Sequence, residues 1–269
     1  MIRLYATIVA VFACSPAWAD AKVAVLMDVM QVDEVLEILH EEGLQYGATL
    51  DEQMLDGKGG AFWAEQVRRL YDTQRMETGL RRALSEQMSA PDIDASIDFY
   101  ASDMGVRIIE SENRTRRTLA DNDMQDAAED LLKQLRDENA PVLALIERFI
   151  EVNDLVGNNV SGAMSQNYRF LKGLSDGGYA KRPDDVLLAE VWQSHEAITI
   201  DTENWVTSYL TLAYLPLTED ELKAYIEFAE SDAGRALNAA LFMGFDAIYR
   251  DISYGLGRAI ALNATTDEI

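Results

Sequence analysis

The stretch DAGRALNAALFMGFDAIYRDISYGLGRAIAL, residues 232–262, decides the fold. Its apolar side chains recur three and four residues apart, at Leu241, Phe245, Ile248, Ile252, Leu256 and Ala259. That is the period of a helix face, not of a strand. Only single glycines interrupt it (Gly234, Gly244, Gly255 and Gly257), and roughly thirty residues at 1.5 Å each make a helix about 45 Å long. Leu237, Leu241, Phe242, Met243, Phe245 and Ile248 leave its early and middle turns apolar almost all round. A helix without a wet face is covered by neighbours. This one is therefore expected at the centre of the protein, with its glycines letting other helices close in.

The corner that opens this helix occurs twice, at an offset of 129 residues. Residues 92–105 align with 221–234, with identities at Ala95/Ala224, Ile97/Ile226, Phe99/Phe228, Ser102/Ser231, Asp103/Asp232 and Gly105/Gly234. Ser89-x-x-Asp92 and Thr218-x-x-Glu221 each read as a capping box, a hydroxyl over an orphan N–H with a carboxylate reaching back. Ser102-Asp103 and Ser231-Asp232 then cap a second helix, the carboxylate lying against its positive end. The repeated unit is a short amphipathic helix, a sharp capped corner and a second helix, with Gly105 and Gly234 allowing close approach.

Further out, Val25, Val29, Val32, Leu36 and Leu39 make one helical face, and Met76, Leu80, Ala83 and Gln87 another. Pro91, Pro141, Pro183 and Pro216 stand where helices start or break, and Gly57-Lys58-Gly59-Gly60 and Gly177-Gly178 mark gaps. No stretch alternates as a strand does. The expected fold is all-α, a multi-helix bundle of two related units, 20–140 and 184–269, joined by helices across 141–183.

The motif Phe-x-x-Ser-Asp-x-Gly, preceded by a Ser/Thr-x-x-Asp/Glu start, resembles the signature of a bacterial exported family known as domain of unknown function 2059. There the corner usually reads Ser-Pro-x-Gly; Asp103 and Asp232 replace the proline here, compatible with a first-turn position. The first copy extends from Trp63, Val67, Leu70, Tyr71 and Asp72 down to Glu112 and Arg116, covering about residues 30–120, and a weaker second copy covers about 185–262. The resemblance implies an all-helical, secreted or periplasmic protein. It supplies no reaction, ligand or catalytic residue.

Composition narrows the function. The 269 residues are 48% apolar, with 47 acids against 23 bases and a net charge of −24, which argues against disorder and against binding nucleic acid. The first nineteen residues read as a cleaved secretory signal. Arg3 precedes an apolar run from Leu4 to Ala13, and Ala17-Trp18-Ala19 offers a cleavage site before Asp20. The single cysteine, Cys14, falls inside that segment, so the exported chain carries no disulfide; a lipid anchor on Cys14 is the less favoured reading. No later stretch reaches the length of a membrane span, and a soluble periplasmic protein is expected.

Motifs for chemistry are incomplete. Glu37 and His40 have the spacing of a di-metal bundle half-site, but Trp192 stands where His195 would need its acid, and neither histidine completes His-Glu-x-x-His. No Gly-x-Ser-x-Gly elbow occurs, the glycines at 57–60 lack Walker spacing, and Asp121-Asn122-Asp123 begins a calcium loop that Asp126 and Glu129 do not finish. No catalytic, cofactor-binding or metal-ligating residue is assigned, and no cofactor. Arg107, Arg114, Arg116 and Arg117 form the densest basic patch, read as i,i+4 pairing of Glu110 with Arg114 and Glu112 with Arg116 in preference to a surface for anionic lipid or glycan. Trp205 and Tyr209, with Trp192 and Tyr214, are read as core in preference to an apolar groove. The leading expectation is a non-catalytic exported module that binds a protein or a small apolar ligand in the envelope, of unknown oligomeric state. The alternative is a carboxylate-based hydrolase or lyase acting on envelope glycans, which would need two acids in one cleft. A lipid-anchored structural protein is the third.

Overall fold

The structure is a computed structural model that describes residues 16–179 and 181–266; the apolar run from Leu4 to Ala13 and Cys14, on which the expectation of a cleaved signal rests, lie outside the described residues. Among those residues every regular element is a helix. In chain order they are α1 (Pro16–Val29), α2 (Val32–Met54), α3 (Gly60–Leu70), α4 (Thr73–Gln87), α5 (Ala90–Tyr100), α6 (Asp103–Thr118), α7 (Asn122–Asp137), α8 (Pro141–Val152), α9 (Leu155–Gly177), α10 (Asp184–Gln193), α11 (His195–Tyr214), α12 (Glu219–Glu230) and α13 (Asp232–Thr266).

The 35-residue α13 is the axis of the bundle. It lies along α9 for much of its length, and α3, α4, α5 and α12 cover other sides. Leu237, Ala240, Ile252, Leu256, Ala259 and Ile260 are buried along it. The glycines set the spacing: a Cβ on Gly257 would stand 2.2 Å from the Phe170 carbonyl oxygen, and one on Gly173 of α9 would stand 2.3 Å from the Tyr254 carbonyl oxygen. The two backbones therefore touch directly. The helix is not covered all round, however: Met243 is 53% exposed, at a hollow it lines with Arg82 and Glu86 of α4.

The two corners share their local geometry. Ser102 Oγ accepts from the Gly105 N–H at 3.1 Å and Ser231 Oγ from the Gly234 N–H at 3.0 Å. Each hydroxyl donates back to the carbonyl three residues earlier, Phe99 or Phe228, at 2.6 Å. A Cβ on either glycine would strike that same carbonyl, at 2.4 Å or 2.1 Å, so neither corner admits a side chain there. The helices that follow differ, since α6 has 16 residues and packs on α11 and α2.

Three readings need correction. The face from Val25 to Leu39 is broken at Gln31, whose φ of 51° separates α1 from α2, and Val25 is exposed while Val23 and Leu26 are buried. Gln87 is exposed, and Leu84 completes the buried face of Met76 and Leu80. The capping box is complete only at Thr218, where Glu221 also accepts the Thr218 N–H. Asp92 is one methylene shorter and takes the Ser89 hydroxyl at 2.5 Å. Buried side chains from Val23 to Ile260 form one contiguous core.

Candidate functional site

The Ser102 cap starts α6, and Ile108 and Ile109 turn one side of it into the core. Glu112 follows them by four and three residues, so helix geometry brings a carboxylate to that same apolar side. It is met there by phenols from distant parts of the chain. Tyr214 Oη of α11 donates to Glu112 Oε1 at 2.7 Å, and Tyr225 Oη of α12 donates to the same oxygen at 3.3 Å. Tyr100 of α5 lies 3.4 Å from the Tyr225 hydroxyl, and Tyr209 donates to the Glu112 backbone carbonyl at 3.2 Å. Burial pushes the Glu112 carboxyl up to about 7, against the two phenol hydrogen bonds, which favour the ionised form. Burial and the nearby Glu112 charge raise the Tyr214 and Tyr225 phenols well above their ordinary range.

These groups line a half-open cavity of about 290 Å³ between α5, α6, α8, α9, α11, α12 and α13. Its walls are largely aromatic. Phe149 packs on Tyr225 with centroids 4.5 Å apart and edge-on to Tyr214 at 5.3 Å, and Trp205 stacks on Tyr209 at 5.3 Å and 2°. Leu237, Leu241 and Phe242 of α13 and the carboxamides of Asn153, Asn159 and Asn238 complete the lining.

Arg116, one turn after Glu112, turns away from it. Its Nε and Nη2 donate to Glu42 Oε1 and Oε2 of α2 at 3.0 and 2.8 Å. Burial acts to lower the Arg116 pKa, and the Glu42 carboxylate more than offsets it. The guanidinium also lies 6.0 Å from the Trp205 ring centre. Arg116 and Trp205 line both this cavity and a second hollow beside Glu42 and Tyr46, so they form the wall between them.

The expected pairing within α6 is therefore wrong. Arg116 and Arg117 reach Glu42 and Glu34 on α2, and Arg107 reaches Glu221 on α12. No ion pair joins Glu110 to Arg114 among the described residues. The basic patch ties helices together because Glu112 is held inward and α2 presents its acids alongside. The reading of Trp205, Tyr209 and Tyr214 as core holds, with Tyr214 in the buried core and Trp205 and Tyr209 packed against it; all three also border the cavity. Trp192 does not join them. It is 67% exposed and stacks on His195 at 5.0 Å. His40 Nδ1 donates to the Tyr71 carbonyl at 2.8 Å, and Asp121 caps α7 through the Asp123 and Met124 N–H groups. Among the described residues no three His, Cys, Asp or Glu side chains are grouped to hold a metal.

The site was missed in the sequence because Glu112 was given a partner on its own helix. The available signal was its register with Ile108 and Ile109, a charge on an apolar face.

Residues 74–134 match the family described as "Uncharacterized protein conserved in bacteria (DUF2059)". The match takes in the first corner, Glu112 and Arg116, and stops before α8. No curated protein and no solved structure matches the chain. No described helix is long and apolar enough to cross a membrane.

Proposed function

We propose that this chain is exported to the periplasm through a cleaved leader, and that it works there as a non-catalytic binding module. Its ligand is a small molecule with an apolar body, held in the aromatic cavity beside Glu112. One observation carries the reading: a half-open cavity that is lined by rings and holds a carboxyl oxygen, Glu112 Oε2, that accepts no bond from the described residues.

The hydrolase reading draws support from the near-neutral carboxyl of Glu112, suited to a general acid. It is less favoured because hydrolysis of glycans by carboxylates uses a pair, and among the described residues Glu112 is the one carboxylate lining the cavity.

The test is native mass spectrometry of protein recovered from the periplasm, compared with Leu241→Trp, which fills the cavity. A bound small mass that the variant loses supports the reading. An N-terminus at Asp20 supports export with cleavage, and a diacylated Cys14 overturns the free form. If the native protein carries no mass, and no apolar-bodied compound raises its melting temperature, the binding reading fails.

A further inference from the structure

We infer that the cavity is built for an organic cation, an ammonium group on a single-ring or short-chain apolar body, with Glu112 as its counter-ion. This deepens the ligand-binding reading above and rests on it. The charges decide the sign. Two charged side chains line the cavity, Glu112 and Arg116, and the fork of Arg116 is engaged bidentately by Glu42. An anionic ligand would face the Glu112 carboxylate with no free cation to meet it. A cation finds an unshared partner.

The hydrogen-bonding groups point the same way. Glu112 Oε1 takes both phenols, whereas Oε2 accepts no bond from the described residues. The asparagines each commit a donor to backbone: Asn153 Nδ2 to the Phe149 carbonyl at 2.9 Å, Asn238 Nδ2 to the Asn153 carbonyl at 3.0 Å, and Asn159 Nδ2 to the Leu155 carbonyl at 2.7 Å. Each carboxamide keeps one N–H beside an oxygen with two lone pairs, so Glu112 Oε2 is the one charged acceptor lining the cavity that no bond from the described residues satisfies. An ammonium brings three donors and no acceptor. The aromatic lining, which includes Trp205, Tyr209 and Phe242, is of the kind that attracts cations through the ring quadrupole. At about 290 Å³ the cavity is at the small end of ligand pockets, roughly 300–1,000 Å³, which limits the body to one ring or a short chain.

Protonation then couples to binding. The groups facing Glu112 are Tyr209 and Tyr214 of α11, Tyr225 of α12, Tyr100 of α5, and Arg116, which is paired with Glu42 of α2. All four phenols are shifted above their ordinary range and stay neutral near pH 7. Glu112 is the group that changes charge there, so an ammonium ligand selects its ionised form and displaces its proton.

The experiment is calorimetric titration of the exported chain with three probes that share a body: 2-phenylethylammonium, 2-phenylethanol and 3-phenylpropanoate. At pH 8 the amine is expected to bind about tenfold or more tightly than the alcohol, as befits a charge-assisted bond, with the acid weakest. The preference for the amine should vanish in Glu112→Gln, which keeps an acceptor for the phenols. In the unaltered protein, amine affinity should fall about tenfold for each pH unit below 7, a readout that stands even where the variant does not fold. An alcohol that binds as tightly as the amine, or an amine affinity flat from pH 5 to 8, overturns the inference and leaves the ligand-binding reading intact. Absence of binding by all three probes, with none of the apolar-bodied compounds stabilising the protein, overturns both.

Discussion

Phe99 and Phe228 lie ring on ring, with centroids 4.0 Å apart and planes 10° from parallel. Each occupies the same place in its corner, three residues before the serine that caps the next helix, and each gives its carbonyl to that serine. The two corners therefore meet through equivalent side chains. Stacked pairs contribute about 0.5–1.5 kcal/mol beyond the area they bury. A double-mutant cycle with Phe99→Ala and Phe228→Ala, read by urea unfolding, should return a coupling of about that size. Strictly additive losses would show that the rings do not support one another.

The caps allow a comparison of like with like. Ser102→Ala and Ser231→Ala should each cost about 1 kcal/mol, because the two hydroxyls make the same pair of bonds. Thr218→Ala should cost more than Ser89→Ala: the Thr218 box is reciprocal, whereas Ser89 accepts from the Asp92 N–H at 3.4 Å without return from the carboxylate to its own N–H. Equal losses at Thr218 and Ser89 would count against this account of the corner.

Gly257→Ala should destabilise by about 1–3 kcal/mol or more, since its Cβ would press into the Phe170 carbonyl at 2.2 Å and force α9 off α13. Gly162→Ala is the control. Its Cβ meets only the Gln166 carboxamide at 3.7 Å, so the change should be neutral or stabilising by about 0.5–1 kcal/mol. Thermal unfolding of the two variants separates a steric effect from helix propensity.

Glu112 makes stability depend on pH. Its carboxyl sits at about 7 in the folded protein against 4.5 for the unperturbed group, so the folded state holds the proton more tightly than the unfolded one. That contribution is complete below pH 4.5, declines as pH rises, and is gone above 7, on the order of 3 kcal/mol in all. Glu112→Gln lacks it. The variant should therefore gain on the parent protein between pH 4.5 and 8 when both are unfolded in urea. A gap that does not change with pH would mean the carboxyl is not held near neutrality.

Tyr214→Phe should raise that folded-state value further, because it removes the 2.7 Å bond that favours the ionised carboxylate. Carbon-13 titration of the Glu112 carboxyl reads the direction: a fall on substitution would contradict the geometry.

What the chain declared on its own was local. The three- and four-residue spacing from Leu241 to Ala259, the serines and threonine at helix starts, and the glycine two places after each Ser-Asp all act within one or two turns, so neighbours in sequence suffice to read them. The break at Gln31 and the loss of Val25 from the core escaped because apolar periodicity runs through a turn in which a single residue takes the left-handed conformation. Tertiary structure alone decided the site. Glu112 finds its phenols 102 and 113 residues away, and Arg116 prefers an acid 74 residues back to the one a turn before it. An i,i+4 surface pair is worth only about 0.2–0.5 kcal/mol. Packing that buries one side of α6 outweighs it, turning one of two adjacent charges inward and sending the other to a different helix.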